Sequence, residues 1–342
     1  MSTTPNTARR QFSRLALGAA AATLLALGGN ALAADAQYKF KYGTAFPADH
    51  PGALRIKEAA DAIRKESNGR IDIQVFAQST LGSEPDMIFQ VRSGAIQFMS
   101  TAGTNLQSMV PVAGINGVAF AFKDYKQVWA AMDGELGAYV HKQLEKINIY
   151  TFDKVLDNGY RNITTSTKPI NSPADLKNFK IRVPGIPLWI AMFKDLGAAP
   201  TSINFGELYS ALQTKIVDGQ ENPLPLIQSA KLYETQKYVS MTGHTWDGHF
   251  IFTSAKFWQG LPPDVREIIS RNFNAAAIKE RADIAELNTH LETELKKQGM
   301  VFNYPDKQPF IDALKKAGFY TNTKAKYGAE AWSILEKYSG PL

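Results

Sequence analysis

Phe179-Lys180-Ile181-Arg182-Val183-Pro184 opens the most informative stretch of the chain, which runs on to Pro225. Phe179, Ile181 and Val183 alternate with Lys180 and Arg182, which is strand periodicity with the arginine on the less apolar face. Pro184 has no N–H for a ladder, so the strand stops there and leaves Arg182 near its carboxyl end. In open α/β sheets the carboxyl ends of strands border the ligand crevice. A guanidinium at that place is a planar fork that grips a carboxylate through two parallel hydrogen bonds. The alternative is an arginine salt-bridged for structure alone. Further on, Pro187 to Leu196 reads as a short helix, with Leu188, Met192 and Leu196 on one face and Gly197 past its end. Thr201-Ser202-Ile203 reads as another short strand. Asn204 and Glu207 have the spacing of a capping box for a helix through Gln213. Val217 to Pro223 is dense in hydrogen-bonding groups.

Outward from this stretch, toward the N-terminus, Tyr38, Phe40 and Tyr42 alternate with lysines as an opening strand. Gly43–Pro51 is a loop carrying Phe46, Asp49 and His50. Ile56, Ala59, Ala60 and Ile63 have helical spacing, and that helix ends near Asn68-Gly69. Ile71, Ile73 and Val75 alternate as a strand. Ser83 caps a helix whose first turn holds Glu84, Pro85 and Asp86, as the helix dipole favours. Ala95–Met99 resumes as an apolar strand. Strand, helix, strand, helix, strand is the α/β pattern with a mostly parallel sheet. Toward the C-terminus, a helical pattern runs to about Tyr233, and Met241–Thr253 is strand-like and aromatic. Pro262 and Pro263 open a helix longer than the globular norm of roughly 8–20 residues. A final helix over Lys307–Ala317 and a short tail close the chain.

The chain has 342 residues, no cysteine and a formal charge of +6. Arg9, Arg10 and Arg14 precede the apolar run Leu15–Gly29, which is short for a membrane span, and Ala31-Leu32-Ala33 supplies a small-x-small cleavage signal. Residues 1–33 therefore read as an export leader, resembling the twin-arginine type through Ala8 to Arg14. On this reading the product begins at Ala34 in the periplasm. With no cysteine, disulfides, thiolate chemistry, Cys-ligated zinc and lipidation at the leader junction are excluded. Without the three leader arginines the charge of +6 becomes +3. That balance is too mild to argue for nucleic acid, and no basic cluster is interleaved with aromatics. Nothing reads as a flexible linker, so two lobes, if present, are joined by hinge strands.

No catalytic constellation stands out. His-Glu-x-x-His, Gly-x-Ser-x-Gly and the phosphate-cradling glycine loops are all missing. His244 and His249 are five apart in a strand-like segment and face opposite sides, which argues against a metal site. His141 and His290 fall in helical patterns and read as surface residues. The expectation is a non-enzyme without cofactor or metal. The enzymatic rival is a hydrolase or lyase using His249 with Asp247.

Three runs in the opening stretch carry a family likeness: Lys180–Pro184, Phe205 with Glu207 through Gln213, and Val217–Pro223. Gly69-Arg70-Ile71, Gln78 through Glu84, Arg92 through Ile96, Asn158 through Asn162 and Thr167 through Leu176 extend it over nearly the whole chain after the leader. Together they resemble the DctP-type solute-receptor subunits of TRAP transporters, periplasmic uptake systems for organic acids. The resemblance implies a two-lobe periplasmic-binding-protein fold with a hinge, central mixed sheets flanked by helices, and a long C-terminal helix spanning both lobes. It implies lobe I from residues 34–158 plus about 248–287, and lobe II from 159–247 plus about 288–342. It makes Arg182 the main carboxylate anchor, with Arg161 and Asn222 meeting the same anion and Phe205 as an apolar wall. Each has a structural alternative: Arg161 paired with Glu221, Asn222 capping a turn before Pro223, Phe205 in the core. His50, Glu84, Asp247 and His249 are expected on loops facing the cleft, where they suit the hydroxyls of a sugar or hydroxy acid. Phe46, Trp189 and Trp246 would equally build a slot for an aromatic carboxylate. The implied partners are a small organic acid and membrane-embedded TRAP permease subunits, with the receptor a monomer. A receptor of an ABC uptake system is the rival within the transport class.

Overall fold

The computed structural model describes residues 36–342. The expected leader and its twin-arginine-like run lie outside the described residues. The first half alternates as its periodicity dictates: β1 (Tyr38–Thr44), α1 (Pro51–Glu66), β2 (Ile71–Phe76), α2 (Glu84–Ser93) and β3 (Phe98–Ala102). His50 caps α1 by accepting the Gly52 amide at Nδ1. Ser83 and Asp86 cap α2 reciprocally, which satisfies donors that the first helical turn leaves free. The strand expected over Ala95–Met99 begins three residues later, because Gly94 ends α2 in the left-handed region at φ 86° and residues 95–97 make the return.

After two short 3-10 turns come α3 (Tyr125–Met132), α4 (Glu135–Glu145), β4 (Ile149–Thr151) and β5 (Leu156–Thr165). The opening stretch of the sequence folds as β6 (Lys180–Val183), α5 (Pro187–Asp195), β7 (Ala199–Ser202), α6 (Leu208–Gln213) and β8 (Gly219–Asn222). The capping box expected at Asn204 does not form. A 3-10 turn at Phe205–Glu207 intervenes, and the Asn204 side chain makes no cap. Then follow α7 (Leu224–Ser229), β9 (Tyr238–Ser254), α8 (Ala255–Gln259) and the long α9 (Pro263–Asn288). The chain closes with α10 (Leu291–Lys297), β10 (Val301–Asn303), α11 (Gln308–Lys316), α12 (Phe319–Tyr327) and α13 (Ala329–Ser339). What read as a short tail is therefore two helices. They are anchored by buried Phe319, Tyr320, Trp332 and Leu335.

All ten strands join one mixed sheet, whose main path is β2-β1-β3-β9-β5-β8-β6-β7. Parallel pairing of β1 with β2 and β3 makes one flank, and parallel pairing of β6 with β7 and β8 makes the other. Between them β9 and β5 run antiparallel over Leu156↔His249 to Thr165↔Tyr238. These two strands are continuous from one flank to the other, so chain crosses between the halves as hydrogen-bonded sheet. The helix α9 lies over the same centre and packs on α1, β5 and α7. Its buried stripe is Val265, Ile269, Phe273, Ala276, Ala277 and Ile284, at the spacing expected of a core-facing helix. No helix among the described residues is long and apolar enough to cross a membrane.

Candidate functional site

β6 delivers Arg182 to the middle of the molecule just before Pro184 ends the strand. There it lines a cavity with Asn158 and Arg161 of β5, Asn222 of β8, and Asp247 and His249 of β9. Glu84, Phe205, Trp189 and Phe46 complete the wall. The cavity has about 390 Å³ of space free of protein atoms. An outer hollow shares Glu84, Asn105, Arg182, Pro184 and Phe205 with it and leads to the surface.

The two arginines differ in their company. Arg161, 3% exposed, donates from Nε to Glu221 Oε2 at 2.5 Å and from Nη1 to Asp247 Oδ2 at 2.6 Å. Its Nη2 reaches Glu221 O, Glu221 Oε1 and Asn222 Oδ1 at 2.8–2.9 Å. Its guanidinium also lies over the Trp189 ring, 4.4 Å from the centroid. The structural alternative weighed for this residue is thus the observed state, with Asp247 as a second partner. Its carboxylates outweigh desolvation and hold the Arg161 pKa above its ordinary value.

Arg182, 2% exposed, donates only from Nε, to the Ile203 carbonyl at 2.8 Å. Its two terminal amino groups make no hydrogen bond or ion pair among the described residues. Burial pushes its pKa down to about 10, with the more distant Glu221 charge opposing and Arg161 reinforcing the fall. A desolvated cation without an adjacent counterion is costly unless an anion joins it.

Asn222 lies in β8 opposite Asn162. Its amide accepts from Arg161 and donates to Gln220 Oε1, so it belongs to the site's network rather than to a turn cap. Phe205 is half-buried on the wall. Glu84 accepts from Thr101 at the start of α2. Asp247 and His249 lie on β9, not on loops, and both line the cavity.

His50 is the expected site residue that the structure removes. It sits behind Phe46, whose ring stacks on His50 at 4.2 Å and on His249 at 4.3 Å between centroids. Burial pushes its imidazole down to about 3. Trp246 also leaves the cavity: its indole donates to Asp157 Oδ1 at 2.9 Å beneath the sheet. The aromatic slot envisaged from Phe46, Trp189 and Trp246 is therefore incomplete. His244 approaches Glu221 Oε2 at 3.2 Å, and His249 Nε2 lies 4.0 Å from Asp247 Oδ2. The two imidazoles thus face different carboxylates. His141 is half-buried, bonded to Thr151 and packed against Phe250, where a surface position was expected. His290 is exposed.

Asn158, Asn105, Ile186 and Leu226 line the cavity without having been singled out. For Asn158 the signal was present. It stands three residues from Arg161, which in a regular strand puts the two on opposite faces. Gly159 at φ 110° and the register shift between Asp157 and Gly159 bring them to one side, as a bulge does.

A cavity with one unmatched arginine, an amide network and no nucleophile–base pair suits binding rather than reaction. The family model for DctP, "Bacterial extracellular solute-binding protein, family 7", matches residues 42–320. The chain belongs to this family. It is 32% identical to the 2,3-diketo-L-gulonate-binding periplasmic protein YiaO of Escherichia coli, over 76% of this chain and 80% of that one. It is 29% identical to the C4-dicarboxylate-binding periplasmic protein DctP of Vibrio cholerae, over 78% and 80% respectively. A TRAP periplasmic solute-binding protein of Roseobacter denitrificans, solved with bound L-galactonate, superposes with a TM-score of 0.82. That match has 30% identity and covers 89% of this chain and 99% of that one. The DctP-family fold is the two-lobe fold of these structures, and the DctP-family protein described here is a periplasmic solute receptor, not an enzyme.

Proposed function

We propose that this receptor binds a small organic carboxylate between its lobes and delivers it, as a monomer, to the membrane subunits of a TRAP-type transporter. The observation that carries the reading is Arg182: buried, facing the cavity, with both terminal amino groups free of protein acceptors. A ligand carboxylate would satisfy that fork with two parallel hydrogen bonds. Asn222 and the remaining Nη1–H of Arg161 flank it, and Phe205 covers its apolar side. Relatives that carry diketogulonate and galactonate support a sugar acid or hydroxy acid as the ligand.

Lobe I is drawn from residues 34–158 with about 248–287, and lobe II from 159–247 with about 288–342. In this division β5 and β9 form the hinge and α9 bridges the halves. The closing helices straddle it: α12 packs on α5, while α13 packs on α3 and α4. Closure dries the cavity and strengthens the ion pair at Arg182.

Arg182→Ala should lose on the order of 2–5 kcal/mol of binding free energy, or about 30-fold to several-thousand-fold in affinity. Titration calorimetry against sugar acids checks this. Unchanged affinity in the variant would refute the anchor.

A further inference from the structure

The cavity wall has a polarity pattern beyond the anchor, and it restricts the ligand. Of the cations lining it, Arg161 is shared between Glu221 and Asp247, which leaves Arg182 as the single arginine without an adjacent carboxylate. His249 is the remaining titratable base on the wall, and burial holds its imidazole below its ordinary value, so it brings no second charge at neutral pH. Two further carboxylates, Glu84 and Asp247, face the same space. A ligand with a second carboxylate would meet those acids with no cation to receive it.

The unpartnered polar atoms point the same way. Asp247 and Asn158 are each 1% exposed. Asn158 Nδ2 donates to Asp247 Oδ2 at 2.8 Å, which fixes the amide orientation. That leaves Asn158 Oδ1 and Asp247 Oδ1 buried without any donor. Native proteins rarely leave such atoms unsatisfied, and these line a binding cavity. A carboxylate offers them nothing; a hydroxyl offers a proton.

We propose that the receptor selects a hydroxylated monocarboxylate, its single carboxylate on Arg182 and its hydroxyls donating to Asp247 Oδ1 and Asn158 Oδ1, and that it rejects dicarboxylates. This rests on the reading of the cavity as a carboxylate site. Asp247 and Asn158 are then its specificity-determining pair.

The test is calorimetry on the purified protein, freed of co-purified ligand by unfolding and refolding. The hydroxylated acids are erythronate, gluconate, galactonate, glucuronate and galacturonate; the comparators are succinate, glutarate and hexanoate. At least one hydroxylated acid should bind about a hundredfold or more tighter than any comparator, the sum of two hydrogen bonds of which one is to a charged acceptor. Succinate, glutarate or hexanoate binding as tightly as the best hydroxylated acid would overturn the inference while leaving the carboxylate reading intact. Binding of none of the eight would overturn both. In Asn158→Ala, folded by its melting curve, the preference for the hydroxylated acid over hexanoate should fall about tenfold. A purely structural role would weaken both alike, so an unchanged ratio also counts against the assignment.

Discussion

Arg161 and Arg182 show how one residue type serves two ends in one cavity. Both are buried, Arg161 on central β5 and Arg182 on β6 in one flank of the sheet. Arg161 is neutralised by Glu221 and Asp247 and holds the β5, β8 and β9 side chains together. Arg182 is held at Nε alone and left open at its fork. Truncating them should therefore fail differently. Arg161→Ala leaves two buried carboxylates without their cation and should cost about 3–5 kcal/mol of stability, read by urea unfolding. Arg182→Ala should cost distinctly less stability, because it loses one hydrogen bond to the Ile203 carbonyl while no carboxylate of the protein loses a partner. Loss of stability in Arg182→Ala equal to that in Arg161→Ala would contradict the distinction. Strand-end position pointed Arg182 toward a crevice and family resemblance added Arg161, but neither divided their roles. That division depends on Glu221 and Asp247 meeting Arg161 across strands whose register is broken twice by bulges. No spacing rule along one strand reports it.

At the scale of elements, periodicity located the strands and helices from Tyr38 to Met99 and from Phe179 to Gln213, because alternation and 3.6-residue spacing are local properties; it did not mark out α3, α4, β4, β5 or β8. It failed where tertiary contact decides. The tail helices α12 and α13 lacked a strong local signal and are defined by what they bury. The packing of β5 against α9 also carries an ionisable pair that sequence reading did not single out. Asp157 and Glu280 are both buried, and Glu280 accepts the Asp157 amide at 2.8 Å. Burial pushes the Asp157 carboxyl from 3.8 up to about 7 and raises that of Glu280 well above its ordinary value.

A carboxyl whose folded pKa is raised contributes stability that is full below about pH 4 and is lost as pH rises through about 7. The lowered imidazoles of His50, His141, His244 and His249 act oppositely, removing stability as pH falls below about 6.5. The wild-type curve mixes both, so Asp157→Asn isolates the acid. The difference in stability, wild type minus variant, should fall between about pH 4 and pH 7 by up to about 1.4 kcal/mol per pH unit. It should level off above that range. A difference that is flat or rises with pH would show that Asp157 ionises normally in the fold.

For the whole molecule, the two-lobe architecture was legible from family likeness rather than from residue pattern. Pattern gave α/β with parallel pairing, which holds on each flank of the sheet. It did not reveal that β9, 17 residues long, joins both flanks into one sheet, since strand-like character over Met241–Thr253 says nothing of which strands it pairs with. This continuity places the cavity where β5, β8 and β9 meet. The central claim is that the fork of Arg182 is kept open for a ligand carboxylate. A crystal structure with the tightest-binding hydroxylated acid tests it most directly. The account predicts that acid's carboxylate oxygens within about 2.7–2.9 Å of Arg182 Nη1 and Nη2, with Arg161 still on Glu221 and Asp247. A ligand carboxylate seated elsewhere, with Arg182 turned onto a carboxylate of the protein, would contradict it.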